Sequence, residues 1–215
     1  VMIFPAKTPG FIKVLFPNYV WDFFSKRKIS SEKVLYLTFD DGPVPEATEF
    51  VLNELDKYDA QATFFCIGKN VKKHSHIYQE VISRGHAVGN HTQDHPEGWK
   101  TDTPVYIENT LLAEEHIKAH NSPKLFRPPY GRIKRKQGRK LRQLGYQIIM
   151  WDVVAKDWLR TISKEECLSN IIDNASNRSI IVMHDSLKAL DNVKYILPKI
   201  LDHFSKDGYR FEKIA

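Results

Sequence analysis

Two adjacent carboxylates, Asp40 and Asp41, follow the apolar run Val34–Phe39 and are followed at once by Gly42-Pro43. Asp pairs also fill ordinary solvated turns, so the pair gains weight only from the residues that accompany it. His91 and His95 stand four apart in His-Thr-Gln-Asp-His. On a helical turn that spacing sets both imidazoles on one side, where they could share a metal; two surface histidines satisfy it equally well. One Asp with two His leaves coordination positions open, as a catalytic rather than a structural metal requires. A metal held this way polarises a carbonyl and brings the pKa of bound water to ~7. Arg127 opens the run Arg-Pro-Pro-Tyr-Gly. Its guanidinium could hold a neighbouring carboxylate ionised, while Pro128 and Pro129 stiffen the loop and leave the Tyr130 N–H free to face an oxyanion. His184 closes the apolar segment Ser179–Met183, with Asp185 behind it. It is either a half-buried, satisfied histidine or an acid lying across one face from Asp40 as base.

These residues need elements to bring them together. Val34–Phe39 is β-branched, aromatic and leucine-rich without polar alternation, which reads as a strand buried on both faces, and Gly-Pro ends it. Further strand-like segments occupy residues 62–67, 86–90, 125–127, 146–151, 179–183 and 209–214. Between them apolar residues recur at helical spacing: Ala47 to Tyr58, Val71 to Ile82 before Gly85, Pro104 to about His120, Leu141 with Leu144, and Val193 to Phe204. Ser163 with Glu166 reads as a capping box. Seven β units alternating with helices imply a parallel sheet. With no phosphate-cradling Gly-rich turn after the first strand, the pattern favours a closed barrel over an open, doubly wound sheet. In either form the chemistry-bearing residues collect where the strands end: Asp40 and Asp41, His91 and His95, Arg127, Asp152 with Asp157-Trp158, and His184.

The chain has 215 residues, enough for one domain with a short extension, and a net charge of +6. Much of the excess lies between Arg132 and Arg142 and reads as a solvated helix face. No aromatics interleave with it to stack bases, so no nucleic-acid partner is expected. Cys66 and Cys167 form neither metal spacing nor a disulfide framework. No apolar run approaches the ~18 residues of a membrane span. We find no signal-peptide pattern, so the expected location is cytoplasmic for the sequence as written, or the cell envelope if a leader has been removed ahead of Val1. Residues 1–33 are apolar and aromatic, broken by Pro5, Pro9, Gly10 and Pro17. We expect them to pack on the barrel as an extension, with weak membrane-surface contact, helped by Lys26, Arg27 and Lys28, as the alternative.

Taken in order, Thr-Phe-Asp-Asp-Gly-Pro, His-Thr-x-x-His, Arg-Pro-Pro-Tyr-Gly, Asp-x4-Asp-Trp and Val-x-His-Asp resemble the five motifs of the polysaccharide deacetylases, the NodB-homology domain of carbohydrate esterase family four. The resemblance covers residues 34–215. It implies a distorted (β/α)7 barrel, α/β in class, and a hydrolase removing N-acetyl groups from an N-acetylglucosamine-containing glycan. By the same resemblance Asp40 is the catalytic base and Arg127 its partner. Asp41, His91 and His95 are the ligands of one divalent metal, most often zinc. Tyr130 supports the oxyanion through its backbone N–H. Asp157 orients the catalytic His184, and Trp158 and Val182 wall the acetyl pocket. The family usually carries Leu where this chain has Val182, and Lys156 beside the motif Asp is a second departure; both bear on acyl preference. The expected partner is the glycan, bound by a monomer, with weak membrane-surface contact through the N-terminal extension as an alternative. A deacylase of a lipid-linked amino sugar and a catalytically silent carbohydrate-binding homologue are the alternatives within the fold. A non-haem iron oxygenase is a further one, because two His and a carboxylate also suit Fe(II).

Overall fold

The computed structural model describes residues 5–24, 32–117 and 124–214. Eight strands form one sheet: β1 Lys33–Asp40, β2 Ala62–Cys66, β3 Ala87–Asn90, β4 Lys124–Phe126, β5 Tyr146–Ile148, β6 Val153–Val154, β7 Ile180–His184 and β8 Tyr209–Phe211. The order is β5-β4-β3-β2-β1-β7-β6, with β8 paired to the start of β1, and every pairing is parallel. The helices are α1 Gly10–Leu15, α2 Ala47–Asp56, α3 Gly68–Lys73, α4 Ser75–Ser83, α5 Thr103–Glu114, α6 Arg135–Gln143, α7 Lys164–Ile172 and α8 Leu190–Lys206. This is the parallel α/β half-barrel expected of a distorted (β/α)7 barrel.

The period of two along β1 explains how one strand serves both core and chemistry. Leu35, Leu37 and Phe39 turn outward into the apolar layer shared with α2 and α8, including Val51, Leu55, Val193 and Ile196. Tyr36 packs with Phe65, Leu125 and Ile149 in a second cluster. Thr38 and Asp40 turn the same way and meet Arg127, which is fully buried.

Several sequence expectations need correction. The stretch from Val71 to Ile82 is two helices, broken at His74, whose backbone leaves the helical region. The helix expected to reach His120 ends at Glu114, and residues 118–120 lie outside the described residues. The fifth strand stops at Ile148: its partner β4 ends at Phe126, and the Met150 N–H donates to the Val20 carbonyl instead. The two-residue β6 went unseen: two valines are too short for a periodic signal. Ser163 does cap α7, accepting the Glu166 N–H at 3.0 Å.

β5 and β6 end the strand order without pairing to each other. The N-terminal segment spans that seam. Val20 exchanges backbone hydrogen bonds with Ile148 and Met150 on one side, and Ala6 and Thr8 bond Val154 and Asp152 on the other. Ile12, Phe16 and Tyr19 pack on the cluster of Trp21, Tyr106, Phe126 and Leu141. Lys13 reaches inward, donating to Asp22 Oδ2 at 2.6 Å and to the fully buried Asp152 Oδ1 at 2.5 Å. Lys26, Arg27 and Lys28 lie outside the described residues. Replacing Lys13 by Met strips the closest cation from two partly or wholly buried carboxylates. We expect a loss of ~2–3 kcal/mol, below the full range for a broken buried pair because Lys7 still lies 3.5 Å from Asp152. Thermal unfolding should show it as a drop of several degrees, and an unchanged midpoint would mean that Lys13 does not anchor the segment.

Candidate active site

The strand register sets the site. Asp40 at the end of β1 is level with Phe65 on one neighbour and His184 on the other. Asp40 and His184 therefore share one face, as the sequence suggested, and stand on adjacent strands. Arg127 leaves β4 and crosses the interior. Its Nη1 donates to Asp40 Oδ1 and to Thr38 Oγ1, both at 2.7 Å. Its Nη2 and Nε donate to the carbonyls of Met150 and Ile149, and its plane lies 4.1 Å from the Phe65 ring centroid. A fully buried guanidinium with all these acceptors is fixed in place, and it fixes the Asp40 carboxylate with it.

Asp41 diverges from Asp40 for a reason the sequence did not supply. Strict strand alternation is not what separates them: Asp41 has left the strand, in the left-handed region with φ 85°. Gly42 follows, where an added Cβ would lie 1.9 Å from Asp185 Oδ2. Only glycine lets the turn come that close. The turn is held by Gly42 N–H donating to Asp185 Oδ1 at 3.0 Å and by Asn70 Nδ2 donating to the Asp41 carbonyl at 2.7 Å. Thr48 Oγ1 donates to the second Asp185 oxygen at 2.6 Å. Asp185 and Asn70 were missed as site residues. Asp185 stood in view directly after His184, but nothing in its spacing said that it reaches back to Gly42. Burial, helped by the charge of Asp41, pushes the Asp185 carboxyl up to about 8.

His91 and His95 do converge, but not on a helix. The loop after β3 turns through left-handed Thr92 and His95, with φ 68° and 61°. The buried Asn90 side chain accepts the Thr92 N–H at 2.8 Å and shapes the loop. His95 Nε2 lies 3.2 Å and His91 Nε2 3.6 Å from Asp41 Oδ1. His91 Nδ1 meets the Arg127 carbonyl at 2.8 Å, which places its proton on Nδ1 and aims the Nε2 lone pair at the site. Burial lowers His91 to about 4, against the pull of Asp40 and Asp41, so it is neutral as a ligand must be. Burial alone would raise Asp41, but His95 and the charge of His184 hold it well below the usual carboxylate range. Asp41 Oδ1 is buried and accepts no hydrogen bond. An orphaned anionic oxygen facing two imidazole nitrogens, with all three ligand atoms within 4.8 Å of one another, fits a divalent cation.

Asp157 is fully buried and grips His184 twice, accepting its backbone N–H at 2.7 Å and meeting Nδ1 at 2.8 Å. Burial by itself lowers His184, but the charge and hydrogen bond of Asp157, joined by Asp41 and Asp40, outweigh it and raise the imidazole to about 9. The Trp158 ring stands edge-on to His184 at 4.7 Å. Tyr130 sits at φ 59° in the short turn Pro129–Gly131, and among the described residues its N–H meets no acceptor. Asp40, Asp41, His95, Tyr130, Trp158, Val182 and His184 all line one cleft of about 760 Å³. His91, Arg127 and Asp157 stand behind its wall. Lys156, Arg132 and Ser186 also line it.

The polysaccharide deacetylase family model matches residues 27–149. The chain belongs to the polysaccharide deacetylase family. It is 33% identical over 190 residues to a peptidoglycan-N-acetylglucosamine deacetylase of Bacillus cereus, covering 86% of this chain and 88% of the relative. It is 34% identical to a chitooligosaccharide deacetylase of Azorhizobium caulinodans, covering 74% and 77%. The crystal structure of the Bc1960 peptidoglycan N-acetylglucosamine deacetylase superposes with a TM-score of 0.83 at 29% identity, covering 95% of this chain and 94% of that one. The family match ends before the Asp157, Val182 and His184 motifs, so those positions stand on their own geometry in this polysaccharide deacetylase fold.

Proposed function

We propose that the chain is a metal-dependent N-deacetylase of N-acetylglucosamine-containing glycans, of chitin-oligosaccharide or peptidoglycan type, using one divalent ion held by Asp41, His91 and His95. One observation carries the reading: the partnerless Asp41 oxygen faces two imidazoles in the same cleft that presents an arginine-held carboxylate and an aspartate-held histidine. A carboxylate with two imidazoles and open positions suits zinc in a catalytic role. When bound, such an ion polarises the acetyl carbonyl and acidifies water.

The protein's own groups do the remaining work. Asp40, oriented by its hydrogen bond from Arg127, takes a proton from the attacking water. The free Tyr130 N–H donates to the oxygen on which charge develops. His184, protonated at neutral pH because Asp157 holds its Nδ1–H, gives its Nε2 proton to the departing amine as the C–N bond breaks. Acetate and a free amino sugar result. Trp158 and Val182 form the wall against which the acetyl methyl packs.

The test is acetate release from N-acetylglucosamine oligomers, peptidoglycan and a lipid-linked N-acetyl amino sugar, before and after chelation and zinc return. Glycan binding without acetate release from any of them would leave a silent binding homologue and end this reading. His95→Ala gives a second check. The variant should lose most of about one bound ion per chain, seen by metal analysis, and an undiminished metal content would remove His95 from the ligand set.

A further inference from the structure

The fold joins two features that are far apart in the sequence, the apolar N-terminal segment and the basic run near residue 139. Ile12 of α1 and Phe16 just after it pack inward, and Lys13 is engaged with Asp22 and Asp152. Phe11, Val14 and Leu15 are left on the other face, 65%, 78% and 59% exposed. Three neighbouring large apolar side chains at those exposures form a knuckle, not the scattered leucine or valine of an ordinary surface.

Helix α6 adjoins the segment that carries this knuckle, at Phe16 and Tyr19. The Arg135 guanidinium stands 5.8 Å from the Phe16 ring centroid and that of Arg142 6.0 Å from Tyr19, and those two rings stack 5.8 Å apart. Arg135, Lys136, Arg139, Lys140 and Arg142 give α6 five cations and no acid. Among the described residues none of the five meets a carboxylate within ion-pair distance. No acidic residue stands at i±4 from any of the five to offset their charge, so α6 keeps a one-signed field beside the apolar segment.

We propose that this combined face docks on an anionic lipid bilayer, with Phe11, Val14 and Leu15 entering the headgroup boundary and α6 lying over the lipid phosphates. Charge complementarity requires an anionic partner, and the apolar knuckle selects a bilayer over a soluble polyanion, which offers nothing for three such side chains to enter. The basic run is then more than a solvated helix face. The cleft lies close by: α1 begins just after Thr8, whose Oγ1 donates to the Trp151 carbonyl, and Trp151 lines the cleft. Docking would bring that wall near the membrane surface, whichever glycan the site takes.

The experiment is sedimentation of the full chain with vesicles of phosphatidylcholine alone or mixed with phosphatidylglycerol, with heparin as a soluble polyanion. Binding is expected only to the mixed vesicles and should weaken with salt. The triple change Phe11→Ser, Val14→Ser, Leu15→Ser and, separately, Lys136→Ser, Arg139→Ser, Lys140→Ser should each weaken it about tenfold or more. All six positions are exposed, so the variants should keep the wild-type unfolding midpoint. Three outcomes would overturn the proposal: no sedimentation with mixed vesicles, equal sedimentation with neutral ones, or undiminished vesicle binding by the apolar triple variant. The last, with tight heparin binding, would make the face a site for soluble polyanions.

Discussion

Asp40→Asn is expected to lower turnover ~10²-fold or more, the scale of a lost general base, with bound metal and substrate affinity close to wild type. The amide keeps the size of the carboxylate and still accepts the Arg127 Nη1–H now seen at 2.7 Å. Arg127 also keeps Thr38 Oγ1 and the Ile149 and Met150 carbonyls, so the guanidinium stays in place although its counter-charge has gone. That unpaired charge should lower the unfolding midpoint, and the assay belongs well below it. Asp41→Asn should behave oppositely. It removes the anion that faces His91 and His95, so metal content and activity should fall together, and excess metal should restore part of both. Metal analysis beside acetate release separates the two variants. Metal loss in Asp40→Asn with retention in Asp41→Asn would exchange the roles of the neighbours.

The parts of this site that the sequence made legible are those tied to strand ends. A parallel sheet collects the ends of its strands on one face, so Asp40, Arg127 and His184 could be brought together once the apolar segments were counted. What was not legible depends on how the chain leaves each strand. Asp41, Thr92, His95 and Tyr130 all adopt positive φ, a conformation that residues of these types seldom take and that no propensity announces. The convergence of His91 and His95 was expected from helical spacing, yet it is a strained loop shaped by Asn90 that produces it. Spacing predicted the right neighbours for the wrong reason, because a tight turn and a helical turn can bring residues four apart to similar separations.

Contacts that run backwards across the fold were equally hidden. Asp185 reaching Gly42, Lys13 reaching Asp152 and the N-terminal segment lying between β5 and β6 each join residues more than 100 positions apart. The sequence supplied the apolar character of the extension but not the seam it occupies, since nothing in a run of valines and isoleucines marks which two strands fail to pair. The resemblance covering residues 34–215 left the extension aside, although its backbone is hydrogen-bonded to the segment that carries Trp151, Asp152 and Val154.

Asp157→Asn should be the most informative change outside the proposed metal ligands. His184 as acid must carry a proton, so activity is lost as pH rises through its pKa. With Asp157 in place that pKa is raised to about 9, by a charge 2.8 Å from Nδ1 that overcomes the effect of burial. A divalent ion held by Asp41, His91 and His95 would offset the part of the rise that Asp41 supplies, so the alkaline limb of the wild-type kcat profile should lie between the ordinary histidine value and 9. Asparagine removes the charge, and burial then pulls the imidazole down. The limb should move to lower pH by at least about one unit, and turnover at neutral pH should fall ~10²-fold or more. Asparagine also allows the flipped amide to donate to Nδ1, which would leave the only proton on Nε2 of a neutral ring, a much weaker acid than imidazolium. A purely structural role for Asp157, through the His184 N–H it also accepts at 2.7 Å, would lower activity without moving the limb. A limb that stays where it was in Asp157→Asn would therefore assign the alkaline ionisation to another group and leave His184 without its acid role.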